Sequence, residues 1–397
     1  MVDVMVFGQH DADTLGQIRR CAAHESVLGA VLCGDGHRGY NMPIGGVVAY
    51  QGHISPAGVG FDIACGNKAV RTNLLWDDIR SDFPKLMDVV YKSLSFGIGR
   101  SNTTDDVDDA LFDDDAWSDI DVLSSGGLKD KARRQLGTVG SGNHYVDIFR
   151  DDSDRVWIGV HFGSRGLGHT IASHYIRLAG GQPDGNMDAP PALLRVDTED
   201  GQNYLRAMDL AGRYAYAGRN WVCSKVADLL GASILDEVHN HHNYAWKEKV
   251  AGDEAWVVRK GATPAFPGQR GFVGGSMGDI SVILEGIDSK ASNTALYSTV
   301  HGAGRVLSRT QAAGKMVYKG PNKGQRTGGQ VSWEMLRAWV NDKGVELRGG
   351  GTDESPHCYK RLPDVLACHD GTIRVLHTLY PLGVCMAGED TVDPYKD

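Results

Sequence analysis

Nine residues, Gly58-Val59-Gly60-Phe61-Asp62-Ile63-Ala64-Cys65-Gly66, constrain the fold more than any other stretch of the chain. Three glycines in nine positions argue against a regular helix and for a tight turn with little side-chain bulk. Such a turn can aim Asp62 and Cys65, three residues apart, at one point. An oxygen and a sulfur donor in one loop suit a divalent transition metal, and a thiolate can bridge two ions. Taken alone, a D-x-x-C spacing is more often a turn aspartate beside an inert buried cysteine. The rest of the chain shifts that weighting, because it repeatedly sets histidines among glycines.

Glycine is the composition's main departure: 52 of 397 residues, against a usual share of about 7%. The glycines neither repeat as in collagen nor pool into a linker. They sit in short turns beside His, Ser, Asp and Arg, where backbone must approach a ligand. A formal charge of −9 excludes a uniformly basic nucleic-acid coat, so any phosphate-rich partner is held by a local patch. Seven cysteines, without close pairing, do not suggest a disulfide framework. No signal-peptide pattern follows Met1 and no apolar run is long enough to span a membrane. A reduced cytoplasmic setting is expected, in which Cys65 can be a ligand.

Apolar spacing predicts a surface helix over 12–28, then a strand at 30–32. A polar loop carrying Asp35, His37 and Arg38 should follow, supporting the Asp62 turn and leading to a strand at 47–50. The acidic run 105–121 reads as a solvated insertion. Gly140-Ser141-Gly142-Asn143-His144 leads into a strand from Tyr145, and a strand at 156–160 delivers His161. The strongest helix runs from Tyr204 to about Gly231 and reads as core scaffold. From Arg305 to Arg326 there is no acid, while Arg305, Arg309, Lys315, Lys319, Lys323 and Arg326 accumulate; a solvated loop and a phosphate-binding patch are equally consistent with that composition. No linker splits the chain, and the ligand candidates span 62 to 301, so one interleaved domain covering 1–397 is expected. Short strands ending in glycine loops alternate with helices, which indicates a mixed α and β fold.

Asp62, Cys65, His144, His161, His242 and His301 form the candidate constellation. One carboxylate, one thiol and imidazoles can hold one or two divalent ions, with Mn, Fe, Co and Zn all admissible. With 15 histidines in the chain, any one of them is more often structural; the ensemble is the signal. His301, in His301-Gly302-Ala303-Gly304-Arg305, can act as a covalent nucleophile on a nucleotide α-phosphate, with Arg305 or Arg309 balancing charge.

The stretches DGHRGYNMPIGGV, GVGFDIACG, GSGNHYVD, HFGSRGLGH, HHNYAWKE, RKGAT, GSMG and HGAGR, in this order from Asp35 onward, closely resemble the RtcB family of RNA ligases. The resemblance implies a compact domain with a central metal cleft. It also implies an enzyme that joins RNA 3′-phosphate or 2′,3′-cyclic phosphate ends to 5′-hydroxyl ends, using GTP and two Mn2+ ions, in tRNA splicing or RNA repair. Asp62, Cys65 and His144 then match the ligands of one ion; Cys65, His161 and His242 match those of the other. His301 matches the histidine that takes GMP. Asn143, His144, Tyr145, Val146, Asp147, His242, Asn243, Gly274, Gly275, Ser276, Met277, Ser281, His301, Gly302, Ala303, Gly304 and Tyr359 match guanylate-contacting positions. Arg165 matches an arginine near the RNA phosphate.

Three departures stand out. The family usually has Glu at Asp147 and Pro at Gly275, and it closes with a Val-Lys-Gly tail where this chain has Ala387 in the lysine's place. Loss of that cation is expected to weaken nucleotide binding or relax base choice, with Lys396 a candidate substitute. The rival readings are a metal-dependent phosphodiesterase or phosphatase acting on RNA ends, a non-catalytic RNA-end binder, and a repair paralogue with altered nucleotide preference. An activating protein partner is left open.

Overall fold

The computed structural model describes residues 2–102, 105, 107–183, 187–317, 319 and 326–389. Lys323 and Lys396 lie outside the described residues, as does part of the acidic run. The architecture is mixed α and β. One sheet has five strands in the order Val4–Val6, Val27–His37, Ile44–Tyr50, Asp253–Lys260 and Asn243–Val250, antiparallel except for the first pair. The second orders Arg270–Val273, Ser281–Gly286, Ile373–Gly388, Tyr145–Arg150, Arg155–Phe162, Gly66–Leu75 and Ile234–His241, all antiparallel. Its eighth strand, Glu346–Gly350, pairs in parallel with Ile373–Gly388.

The centre of the larger sheet is covered on both faces, as its alternation requires. Val146, Ile148, Val156, Ile158 and Val160 pack with Phe83 and Met87 of the helix Phe83–Ser93 and with Val222 and Val226 of the helix Glu199–Leu230. Phe149 and Trp157, on the other face, meet Phe272 and Ile283. Val31, Val47 and Val257 of the smaller sheet share a core with Val273, Val282 and Leu284 of the larger, so the two sheets close on one another. The 32-residue helix starts where Thr198 accepts from Gly201 N and stops at Gly231, whose φ of 68° suits the left-handed cap.

Two expectations are corrected. The first helix stops at Ala22, and the strand beginning at Val27 runs on through Asp35 and His37, so these two are strand residues rather than loop residues. The acidic run is not a solvated insertion. Leu111, Phe112, Trp117 and Ile120 are buried in the largest core, while aspartates such as Asp109 cap the short turns around them. The helix Arg165–Leu178 begins four residues after His161, just past the strand that carries it.

Candidate metal centre and nucleophile

Strand register assembles the centre. Tyr145, His161, Asn67 and Asn240 stand opposite one another across four adjacent strands. Neighbouring strands lie about 4.8 Å apart, so residues at the same edge converge. His144 immediately precedes Tyr145, Cys65 precedes the strand Gly66–Leu75, and His242 follows the strand Ile234–His241. Gly66 is needed here, because a Cβ would fall on the carbonyl oxygen of Asn240.

The donors form two groups, Asp62 with Cys65 and His144, and Cys65 with His161 and His242, each with its ligand atoms within 4.8 Å of one another. Cys65 Sγ is 3.5 Å from His161 Nε2 and 3.7 Å from His144 Nε2, and His144 Nε2 is 3.1 Å from Asp62 Oδ2. The His161 tautomer follows from its partners. Asn67 Nδ2 donates to Phe272 O at 2.8 Å, so Asn67 Oδ1 is left to accept from His161 Nδ1 at 2.6 Å. His161 therefore turns an unprotonated Nε2 toward the sulfur. His144 Nδ1 stands between Val139 O at 3.1 Å and the donor Arg165 Nη1 at 3.0 Å, while its Nε2 faces Asp62 Oδ2. Among the described residues, none partners His242 Nδ1, which is buried. Burial lowers the His161 and His242 imidazoles well below their usual range, helped by neighbouring histidines, which keeps both neutral. Burial raises Asp62, but His144 and then Arg165 outweigh it and bring the carboxyl down to about 2. Burial and Asp62 push the Cys65 thiol well up, so a thiolate there needs a cation.

His301 stands beside this cluster, its ring centroid 4.9 Å from that of His242. Asp35, fully buried, holds it: Oδ2 accepts from His301 Nδ1 at 2.6 Å, His301 N at 2.9 Å and Gly302 N at 3.3 Å. Burial works against the Asp35 charge, but His301 overcomes it and leaves the carboxyl below its usual range. With Nδ1 donating, His301 Nε2 keeps its lone pair.

Both groups line a cavity of about 1040 Å³. Its walls include Asp62, Cys65, Asn143, His144, Tyr145, Asp147, His161, Arg165, His242, Asn243, Gly274 to Met277, His301 to Arg305, Arg309 and Tyr359. Arg165, at φ 57°, brings Nη1 to 3.0 Å from His144 Nδ1 and lies where Gly140 has no side chain. Arg305 and Arg309 are not a solvated patch, since both turn inward onto buried Glu354, at 3.2 and 2.8 Å, and Arg305 also donates to Tyr359 Oη at 2.8 Å. Asp147 Oδ1, Tyr145 Oη and Ser276 Oγ are buried with no hydrogen-bond partner among the described residues. Three expected positions are off the wall. Val146 is buried in the core beneath the sheet. Ser281 acts from behind, accepting from Gly275 N at 3.0 Å. Ala387 is not a lining residue, although Val384 and Met386 are.

Asp35 supports His301 rather than the Asp62 turn, as sequence had suggested; the 266-residue separation gave no clue. Asn67 and Glu354 were missed for the same reason. Arg219 was missed although a signal existed. It continues the spacing of Tyr204, Met208, Ala211, Ala215, Val222 and Val226, which is the buried stripe of the long helix.

A mixed α/β protein with a shared-thiol donor cluster, an adjacent carboxylate-held histidine and arginines around one cleft defines a candidate metal-dependent phosphoryl-transfer enzyme. The family model described as tRNA-splicing ligase RtcB matches residues 17–387, and the chain belongs to that family. The chain is 31% identical to the tRNA-splicing ligase RtcB of Thermococcus kodakarensis, over 89% of this chain and 87% of the relative. To the RNA-splicing ligase RtcB of Escherichia coli it is also 31% identical, over 89% and 88%. The tRNA-splicing ligase RtcB of Methanococcus maripaludis is 30% identical, over 96% and 93%. Among the described residues, no helix is long and apolar enough to cross a membrane.

Proposed function

We propose that this chain is a GTP- and Mn2+-dependent RNA ligase of the cytoplasm, joining RNA 3′-phosphate or 2′,3′-cyclic phosphate ends to 5′-hydroxyl ends through a His301–GMP phosphoramidate. The observation that carries the reading is His301, held by Asp35, standing against two donor groups that share Cys65 on the wall of one cavity.

The donor set fits two ions. Asp62, Cys65 and His144 would hold one, and Cys65, His161 and His242 the other; the Nε2 atoms of His161 and His144 lie 3.5 and 3.7 Å from the sulfur, and His242 Nδ1 is unsatisfied among the described residues. Divalent ions bound there supply neutralisation of phosphate oxygens and activation of an attacking oxygen. The residues do the remainder. Asp35 keeps the His301 proton on Nδ1, so Nε2 is free to attack the α-phosphorus of GTP. A P–N bond forms as the P–O bond to pyrophosphate breaks. An oxygen of the RNA 3′-phosphate then takes GMP and restores the imidazole. Last, the 5′-hydroxyl oxygen attacks that activated phosphorus and GMP leaves; a cyclic end is opened to a 3′-phosphate beforehand. Arg165, Arg305 and Arg309 supply positive charge along the wall. The buried Asp147 Oδ1, without a hydrogen-bond partner among the described residues, favours a base edge with N–H donors, as guanine has. With no cation from Ala387 on the wall, GTP preference is expected to be weakened or relaxed.

Incubation with labelled GTP or ATP and Mn2+ should leave an acid-labile label that His301→Ala abolishes. RNA bearing 3′-phosphate and 5′-hydroxyl ends should then lengthen on a gel. Hydrolysis without lengthening would favour the phosphodiesterase reading, and no label from either nucleotide would remove the covalent step. Weak ligation that a cell extract restores would indicate an activating protein.

A further inference from the structure

Arg219 is fully buried in the middle of the helix Glu199–Leu230, where a charge is costly unless its donors are used. They are used on one thing. Nη1 donates to Ala64 O at 3.0 Å and to Phe162 O at 2.5 Å; Nε donates to His239 Nε2 at 2.8 Å; Nη2 is 3.1 Å from His241 Nδ1. Ala64 precedes Cys65, Phe162 follows His161 and His241 precedes His242. A single guanidinium thus ties the chain beside every donor of the Cys65–His161–His242 group. Among the described residues no carboxylate forms an ion pair with it, so the charge is not placed there for a salt bridge. Tyr216 lies 5.2 Å beneath it.

Ala64 shows why such a tie is needed. Its φ is 59°, a left-handed conformation that alanine adopts only at a cost. Both of its polar ends are pinned: N donates to Asn243 O at 2.7 Å, and O accepts from Arg219 at 3.0 Å, with His241 Nδ1, itself beside the guanidinium, 3.2 Å from the same oxygen. Release of the carbonyl would let Ala64 relax and swing Cys65 away from its partners. Because His239 Nε2 and His241 Nδ1 are turned to the guanidinium, those rings are also kept out of the cleft.

We infer that Arg219 is a positioning residue for the metal centre: it holds Ala64 in its strained conformation and locks the ends of three strands so that Cys65, His161 and His242 converge. This rests on the reading of that cluster as a metal site.

The test is Co2+ titration of the purified full chain, read by calorimetry and by the sulfur-to-cobalt absorption band. Arg219→Met should weaken Co2+ binding at least tenfold and diminish the band. Adding Ala64→Gly, which removes the left-handed penalty, should recover part of the affinity. Unchanged binding in a folded Arg219→Met would overturn the inference, and so would loss of affinity that Ala64→Gly does not relieve. Should Arg219→Met not fold, Arg219→Lys, with three donors for four acceptors, carries the same comparison and the same outcomes. Wild-type protein that takes up no Co2+ would overturn both this inference and the metal reading. Binding that is equal in wild type and variant would sink this inference alone.

Discussion

Asp35→Asn and Asp35→Ala separate the charge of this carboxylate from its role as a loop anchor. Oδ2 of the fully buried Asp35 accepts from His301 Nδ1, His301 N and Gly302 N at 2.6, 2.9 and 3.3 Å. An amide oxygen in the same place still accepts from the two backbone groups, so Asp35→Asn should keep the loop and lose the charge at Nδ1. A hydrogen bond to a charged group contributes roughly 1.5–3 kcal/mol and a neutral one roughly 0.5–1.5, so the loss is about 1–2 kcal/mol. If that charge acts on the imidazole as it becomes cationic during attack, guanylylation slows by about 5- to 30-fold. Asp35→Ala removes the whole bond and leaves the tautomer unbiased, which raises the loss to at least about 2–3 kcal/mol, or roughly 30- to 150-fold. Its orphaned backbone groups should also lower thermal stability. The assay is single-turnover label transfer from GTP at saturating Mn2+, with Mn2+ stoichiometry measured alongside. Stoichiometry should not change, because Asp35 belongs to neither donor group. A wild-type transfer rate in Asp35→Ala would refute the assignment of Asp35 as the group that orients His301.

Because Cys65 belongs to both donor groups, Cys65→Ala should abolish binding of both ions, whereas His242→Ala should leave one; calorimetry with Mn2+ or Co2+ counts them. Gly66→Ala would drive its Cβ into Asn240 O, costing on the order of 1–3 kcal/mol and spoiling the register between the Cys65 and His242 strands, seen as a lowered Tm with weakened metal binding. His369 is buried, stacked on Phe7 at 4.1 Å, and accepts from Gly34 N at 3.0 Å, a bond that only the neutral ring can make. Burial lowers its pKa from 6.5 to about 4, with Asp35 opposing. The unfolded chain therefore binds the proton more readily, so this contribution is complete above pH 6.5 and is lost as pH falls from there toward 4, by up to about 3 kcal/mol. In denaturant titrations, His369→Gln should be less steeply destabilised across that window, since its amide oxygen can still accept from Gly34 N.

The cluster was legible in the sequence to the extent that its chemistry is local. Asp62 and Cys65 share one glycine turn, and His144 and His161 stand at strand edges that alternation reveals. Asp35 could be noticed but not assigned, because its partner is 266 residues away and only sheet pairing brings them together. The acidic run misled because its charge count overshadowed Leu111, Phe112 and Trp117, the apolar residues that decide its burial. For Arg305 and Arg309, composition left a solvated loop and a phosphate patch equally open, because Glu354, which turns them inward, lies outside their stretch. Arg219 sat in plain view on an apolar stripe. A cation at such a position is a conflict between pattern and residue type, and those conflicts collect where a fold does more than pack.

The donors come from four segments between residues 62 and 242, and they meet only once four strands have found their register. No short peptide cut from this chain carries a usable fraction of the centre, so ion uptake should report global folding. An ion that binds only the finished sheet stabilises it by mass action, which makes the melting temperature rise with free metal concentration. A cell short of that ion would hold less of the folded protein as well as less of the loaded one.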